Sequence, residues 1–140
     1  MSDGALDKFR DAIQQELRLD GFSEKALLHA TRPANTGELT GHNAFSISFG
    51  ESGETLAIWL KVEDGVITGA SFTSDGSDAL TACGSMITEL VKSKTLEEAS
   101  LITADDLLGA LDGLPSTHLP AAYLAVEVLG GALVDVSSAG

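Results

Sequence analysis

From Asn43 to Phe72 the chain alternates with a period of two, and this run constrains the fold more than any other feature. Phe45, Ile47 and Phe49 alternate with Ala44, Ser46 and Ser48. Leu56, Ile58, Leu60 and Val62 then alternate with Thr55, Ala57, Trp59 and Lys61. A third run, Val66, Thr68, Ala70 and Phe72, follows Asp64-Gly65, a pair that tolerates the positive φ of a two-residue hairpin turn. These spacings predict a three-stranded antiparallel meander with each strand half-buried.

The flanking sequence changes to helical spacing. Leu6, Phe9, Ile13 and Leu17 form one stripe, and Ser23 is placed to cap a short second helix that stops before Pro33 and Gly37. Beyond Ser77, Leu80, Cys83, Ile87 and Leu90 or Val91 mark a third helix ending at Lys92-Ser93-Lys94. Short helices are expected over Thr95–Ala99 and Thr103–Leu111, and a last one from Pro120 to about Val134. One meander followed by a run of helices is an α+β arrangement, in which helices cover the sheet's apolar face and leave the other to solvent.

With 140 residues the chain suits a single core that needs neither disulfides nor a structural metal. Its 8 Lys and Arg against 21 Asp and Glu give a net charge of −13, which repels phosphate backbones and anionic lipid, so neither nucleic acid nor membrane is expected as a partner. Cys83 is the one cysteine, and the charged, amphipathic start of the chain does not read as a signal peptide, so the expected location is cytoplasmic. Pro120–Val136 is apolar but interrupted by Glu127, Gly130, Gly131 and Asp135, and reads as a buried helix.

Familiar catalytic signatures are missing: there is no phosphate-binding loop, HExxH, CxxC or GxSxG. His29, His42 and His118 fall on separate predicted elements, and the acidic pairs Glu63-Asp64, Glu97-Glu98 and Asp105-Asp106 sit at turns or helix starts. Cys83 shares a stripe with Leu80 and Ile87, as a buried, inert thiol would.

Four segments carry a resemblance. Phe22-Ser23-Glu24-Lys25-Ala26-Leu27-Leu28-His29 followed by Arg32-Pro33-Ala34-Asn35-Thr36-Gly37 is similar to a YSxKVxxH helix leading into an HPRNVG loop. Ser52-Gly53-Glu54 stands where Cys-Gly-Asp leads into a strand ending in Lys-Val. Phe72 to Lys94 shares Phe72, Gly76, Thr88, Glu89 and Lys94 with FxTxGCxSAxASSSxxTExxxGK, and Gly113-Leu114-Pro115 through Ala121, Glu127 and Leu129 is similar to GLPxxKxHCSxLAxEAL. In this order and spacing the chain resembles the IscU/NifU family of iron–sulfur cluster assembly scaffolds from about Phe22 to Leu133. The resemblance implies an IscU/NifU-like (SufE/NifU-type) fold over 22–136, with 1–21 as an added helical extension and 137–140 as a tail.

The same resemblance implies a degenerate site. The family's three cluster cysteines fall on Ser52, Ser77 and Ala121, its nearby aspartate on Glu54, and the histidine before its third cysteine on Pro120. Clusters are held by thiolates, which serine and alanine do not replace. Cys83 lies six residues past Ser77, about 240° around and ~9 Å along a helix, and so points elsewhere. No catalytic residue, no tightly bound cofactor and no high-affinity metal site is expected; an iron–sulfur cluster, iron or zinc is implied by the resemblance alone. The implied partner is a cysteine desulfurase or another iron–sulfur assembly protein. The family's chaperone-binding LPPVK stretch is represented only by Leu114-Pro115-Ser116-Thr117-His118. The expected function is thus scaffold-like rather than enzymatic, with weak, partner-assisted or no cluster binding. The alternative is a non-catalytic binding or regulatory module that reuses the fold.

Overall fold

The computed structural model describes residues 3–139. In chain order it contains α1 (Asp3–Leu19), α2 (Glu24–Thr31), β1 (Ala44–Phe49), β2 (Thr55–Glu63), β3 (Val66–Asp75), α3 (Asp78–Val91), α4 (Leu96–Ser100), α5 (Ala104–Ala110), a 3-10 turn (Ser116–His118) and α6 (Leu119–Ala139). The strands form one antiparallel sheet in the order β1-β2-β3. Asp64 and Gly65 both take positive φ (53° and 75°), as the two-residue hairpin turn requires.

The core lies between the sheet and α2, α3 and α6. Leu56, Ile58 and Leu60 of β2 meet Leu80, Cys83 and Ile87 of α3 and Val128 and Leu129 of α6 with almost no exposure. Each large aliphatic chain buried this way contributes ~1.5–3 kcal/mol before entropy is counted. Gly84 lets α3 approach the sheet: a Cβ there would sit 2.4 Å from the Phe72 ring. Ser23, Ser77, Thr95 and Thr103 cap their helices with side-chain oxygens, the two threonines in full capping boxes.

Three expectations change in detail. First, β1 is inverted. Ala44, Ser46 and Ser48 pair with Leu60, Ile58 and Leu56 on the helix-covered face, while Phe45, Ile47 and Phe49 stand on the outer face, 38%, 47% and 70% exposed. The cause is α6, whose Gly131 lies so close to β1 that an added Cβ would meet Ser46 Oγ at 2.3 Å. Second, a register shift at Lys61/Val62 changes the parity of β3, so that Ile67 turns inward where Val66 and Thr68 do not, while Ala70 and Phe72 remain inside. Third, α6 is longer than expected. The stretch Ser116–Val136, most of it in α6, is long and apolar enough to cross a membrane, but Ala122, Ala125, Val128, Leu129 and Ala132 are buried in the core.

The first helix docks by its C-terminal half. Leu17 is buried, Gln14 donates to Thr31 Oγ1, and Arg18 pairs with Glu24, whereas Leu6 and Phe9 of the same stripe remain exposed. The loop after α2 is tied across the sheet and α3. Phe72 N–H donates to Asn35 O, Gly37 N–H donates to Phe72 O, and Asn35 Nδ2 donates to Thr88 Oγ1 and Glu89 Oε1. The Asn35 bond holds the Glu89 carboxyl below its usual range, helped by Lys92, which also donates to Asn35 Oδ1.

Candidate functional site

Three elements converge at one end of the sheet. The β1–β2 turn is closed by Gly50 N–H donating to Glu54 O (2.7 Å) and Gly53 N–H donating to Gly50 O (3.0 Å), with Gly53 at φ +83°. The Glu54 side chain folds across two glycines: a Cβ on Gly50 would meet its Oε1 at 2.5 Å, and one on Gly76 would meet its Cβ at 2.7 Å. Both glycines thus make room for this carboxylate. Ser77 opens α3 as its N-cap, and Ala121 lies in the first turn of α6.

These elements enclose a cleft of about 750 Å³ whose lining includes Ser52, Glu54, Ser77 and Ala121, the four positions identified from the sequence. Pro120 lines it as well, and so does His118. Glu51, Thr117, Tyr123 and Phe49, which no sequence motif marks as site residues, are also part of the wall. Glu127 also lines the cleft; it was visible in the last resemblance segment, and its spacing from Pro120 and Tyr123 places it on the same face of α6.

The donor set suits neither a cluster nor a soft metal. Ser77 Oγ already accepts from Leu80 N–H (3.1 Å), Ala121 has no donor side chain, and Ser52 offers a protonated hydroxyl. Cys83 is fully buried inside α3, and desolvation pushes its thiol up to about 12, so it carries no thiolate at neutral pH. Among the described residues no group of three His, Cys, Asp or Glu is arranged to hold a metal ion. The cleft instead carries three carboxylates, Glu51, Glu54 and Glu127, and neither lysine nor arginine is among its lining residues. Its field therefore favours cationic groups.

The histidines do not assemble. His118 packs its ring on Phe22, with centroids 5.4 Å apart. His42 lies beside Trp59, its Nδ1 donating to Leu39 O (2.8 Å). His29 Nδ1 is 2.7 Å from Ser85 Oγ, and burial lowers its proton affinity against the opposing pull of Glu89. Ser85 has no exposure and its Oγ also accepts from Ala34 N–H, so this serine–histidine contact anchors the loop after α2.

Comparison with known proteins agrees with this architecture. A profile of the NifU-like N terminal domain matches residues 21–138. The chain is 35% identical over 115 residues to the iron-sulfur cluster assembly scaffold protein IscU 1 of Archaeoglobus fulgidus, spanning 81% of this chain and 75% of the relative. It is 30% identical over 122 residues to the iron-sulfur cluster assembly scaffold protein IscU of Escherichia coli K12, spanning 84% and 94%. Among solved structures, the N-terminal NifU-like protein of Brucella abortus superposes with a TM-score of 0.73 at 14% identity, over 89% of this chain and 99% of that one. A putative scaffold protein for the SUF system of Fervidobacterium islandicum superposes at 0.69 and 15% identity, over 80% and 96%. These last two likenesses concern the fold.

Proposed function

This chain belongs to the IscU/NifU family, and we propose that it serves iron–sulfur cluster assembly as a scaffold-like protein whose own site no longer supplies the thiolates that hold the cluster. One observation carries the reading: a cleft formed by Ser52, Glu54, Ser77 and Ala121 without a single sulfur ligand. The cluster is cargo here, held weakly, with a partner's ligands, or not at all. In this reading the unit at work is 22–136, with 1–21 as a helical extension and α6 continuing past 136 to Ala139, acting in the cytoplasm. The partner is a cysteine desulfurase or another assembly protein, with neither nucleic acid nor membrane involved.

The relatives are described as scaffolds rather than enzymes. Non-enzymatic action also fits the cleft, since among the described residues no hydroxyl that lines it is hydrogen-bonded to a histidine. A second reading, a non-catalytic binding or regulatory module, is favoured by the volume that the cleft retains beside the carboxylates of Glu51, Glu54 and Glu127. Copurification separates the two. An assembly protein holds a cysteine desulfurase through affinity purification and gel filtration, whereas a repurposed module elutes without it.

A further inference from the structure

The two edges of the sheet are treated differently. The free edge of β3 is tied down by main chain at two points: Phe72 bonds Asn35 and Gly37, and Ile67 bonds Ser93 and Lys94. Along β1 the neighbouring element is α6, which packs on the helix-covered face with Gly131 against Ser46 and reaches the edge at one point, through Asp135. Gly50 N–H donates to Glu54 O, so Gly50 and Glu54 form a hydrogen-bonded pair, and the alternation of an antiparallel ladder makes Ser48, Ser46 and Ala44 the inward-bonding residues. The N–H and C=O groups of Phe45, Ile47 and Phe49 therefore point off the edge. Phe45 N–H is taken by Asp135 Oδ2 (2.9 Å), and by the same alternation those of Ile47 and Phe49 face outward.

The side chains of these same residues add an apolar stripe. Phe45 (38% exposed), Ile47 (47%) and Phe49 (70%) stand in line on the outer face, with Trp59 beside Phe45 at a ring separation of 5.1 Å. An edge left open at Ile47 and Phe49 and a large apolar stripe on the same strand are what soluble proteins ordinarily avoid, unless another chain pairs there.

Charge selects the occupant. Asp135 flanks one end of the edge, and Glu51, Glu54 and Glu127 surround the cleft into which Phe49 and Gly50 lead. Lys61, the cation of the outer face, is paired with Glu63. A second copy is a poor fit. Each copy carries a net charge of −13, and antiparallel pairing about Ile47 sets the Asp135 end of one copy against the Glu51 end of the other.

We infer that the open edge and outer face of β1 form a docking surface for an extended basic segment of a partner protein, which adds as a fourth strand and ends at the acidic cleft. The main chain of Ile47 and Phe49 supplies the bonds, the Phe45–Ile47–Phe49 stripe receives alternate apolar side chains, and the acidic rim receives the cations. This inference stands apart from the scaffold reading, because it needs no cluster.

The test uses the full chain and a short capped peptide of alternating lysine and valine. Comparators are its glutamate–valine counterpart and a version N-methylated along the edge that faces β1. Trp59, the protein's one tryptophan, reports docking by fluorescence, and hydrogen exchange reports on the Ile47 and Phe49 amides. Saturable binding of the lysine peptide is expected, with slowed exchange at both amides. Affinity should fall about tenfold or more with Ile47→Asp or the N-methylated peptide, and should weaken as salt rises. Leu101→Asp, at an exposed leucine elsewhere, should leave it unchanged. The inference is overturned if the lysine peptide leaves Trp59 and both amides unaffected, or if the acidic or N-methylated peptide binds equally well. A dimer that Ile47→Asp disrupts would also overturn it, by making the second copy the occupant.

Discussion

Ser71 is 5% exposed on β3, and its Oγ is the one buried side-chain oxygen or nitrogen without a partner among the described residues. A buried hydroxyl that exchanges water for nothing costs ~1–3 kcal/mol, so Ser71→Ala should raise stability by about 1 kcal/mol in urea denaturation. Ser77 differs, because its oxygen caps α3. His29 gives the pH dependence a direction: burial depresses its proton affinity, so the unfolded chain binds the extra proton. The stability it contributes is complete above the ordinary histidine value of about 6.5 and is lost as pH falls through its lower folded value. Denaturation midpoints measured from pH 7.5 to 5 should fall less steeply in His29→Gln than in the wild type. Residue identity in the sequence was enough to show that the cluster cysteines are gone. It did not show that Ser77 is committed to capping or that Ser71 is left unpaired, since both depend on which groups the fold brings near them.

At the level of elements, periodicity was legible and facing was not. β1 reads Phe-Ser-Ile-Ser-Phe, and alternation alone assigns its aromatics to a half-buried strand without saying which face the helices cover. The side is decided by Gly131 on α6, far along the chain from β1, which sets the helix–strand distance at Ser46. The shift at Lys61/Val62 likewise moved the parity of β3 within a run that reads as regular. Gly131→Ala tests the close approach. Gly131 is exposed, so an alanine would gain helix propensity there, but it must displace Ser46 Oγ and crowd Ser46 Cβ at 3.1 Å, with an expected net loss of ~1–3 kcal/mol. Ser46→Ala in the same chain should recover part of that loss, and full additivity in a double-mutant cycle would show that the two residues do not meet.

For the molecule as a whole, the order of strands and helices follows from the sequence because hydrophobic period, caps and the Asp64-Gly65 turn agree with one another. The cleft was legible only in part. Resemblance supplied Ser52, Glu54, Ser77 and Ala121, whereas Glu51, Thr117 and Tyr123 join them through the packing of α6 and its preceding turn against the β1–β2 turn. The acidity of the chain, read from composition as a global −13, becomes specific where three carboxylates share that cleft. The central claim is that the fold has been kept while the thiolate chemistry has been lost. Its most direct test is anaerobic reconstitution with iron and sulfide, read by the visible absorption and metal content of the desalted protein, for the wild type beside a Ser52→Cys, Ser77→Cys, Ala121→Cys variant. The wild type should come out colourless and metal-poor, and the variant coloured and iron-loaded. A coloured, iron-loaded wild type would contradict that claim.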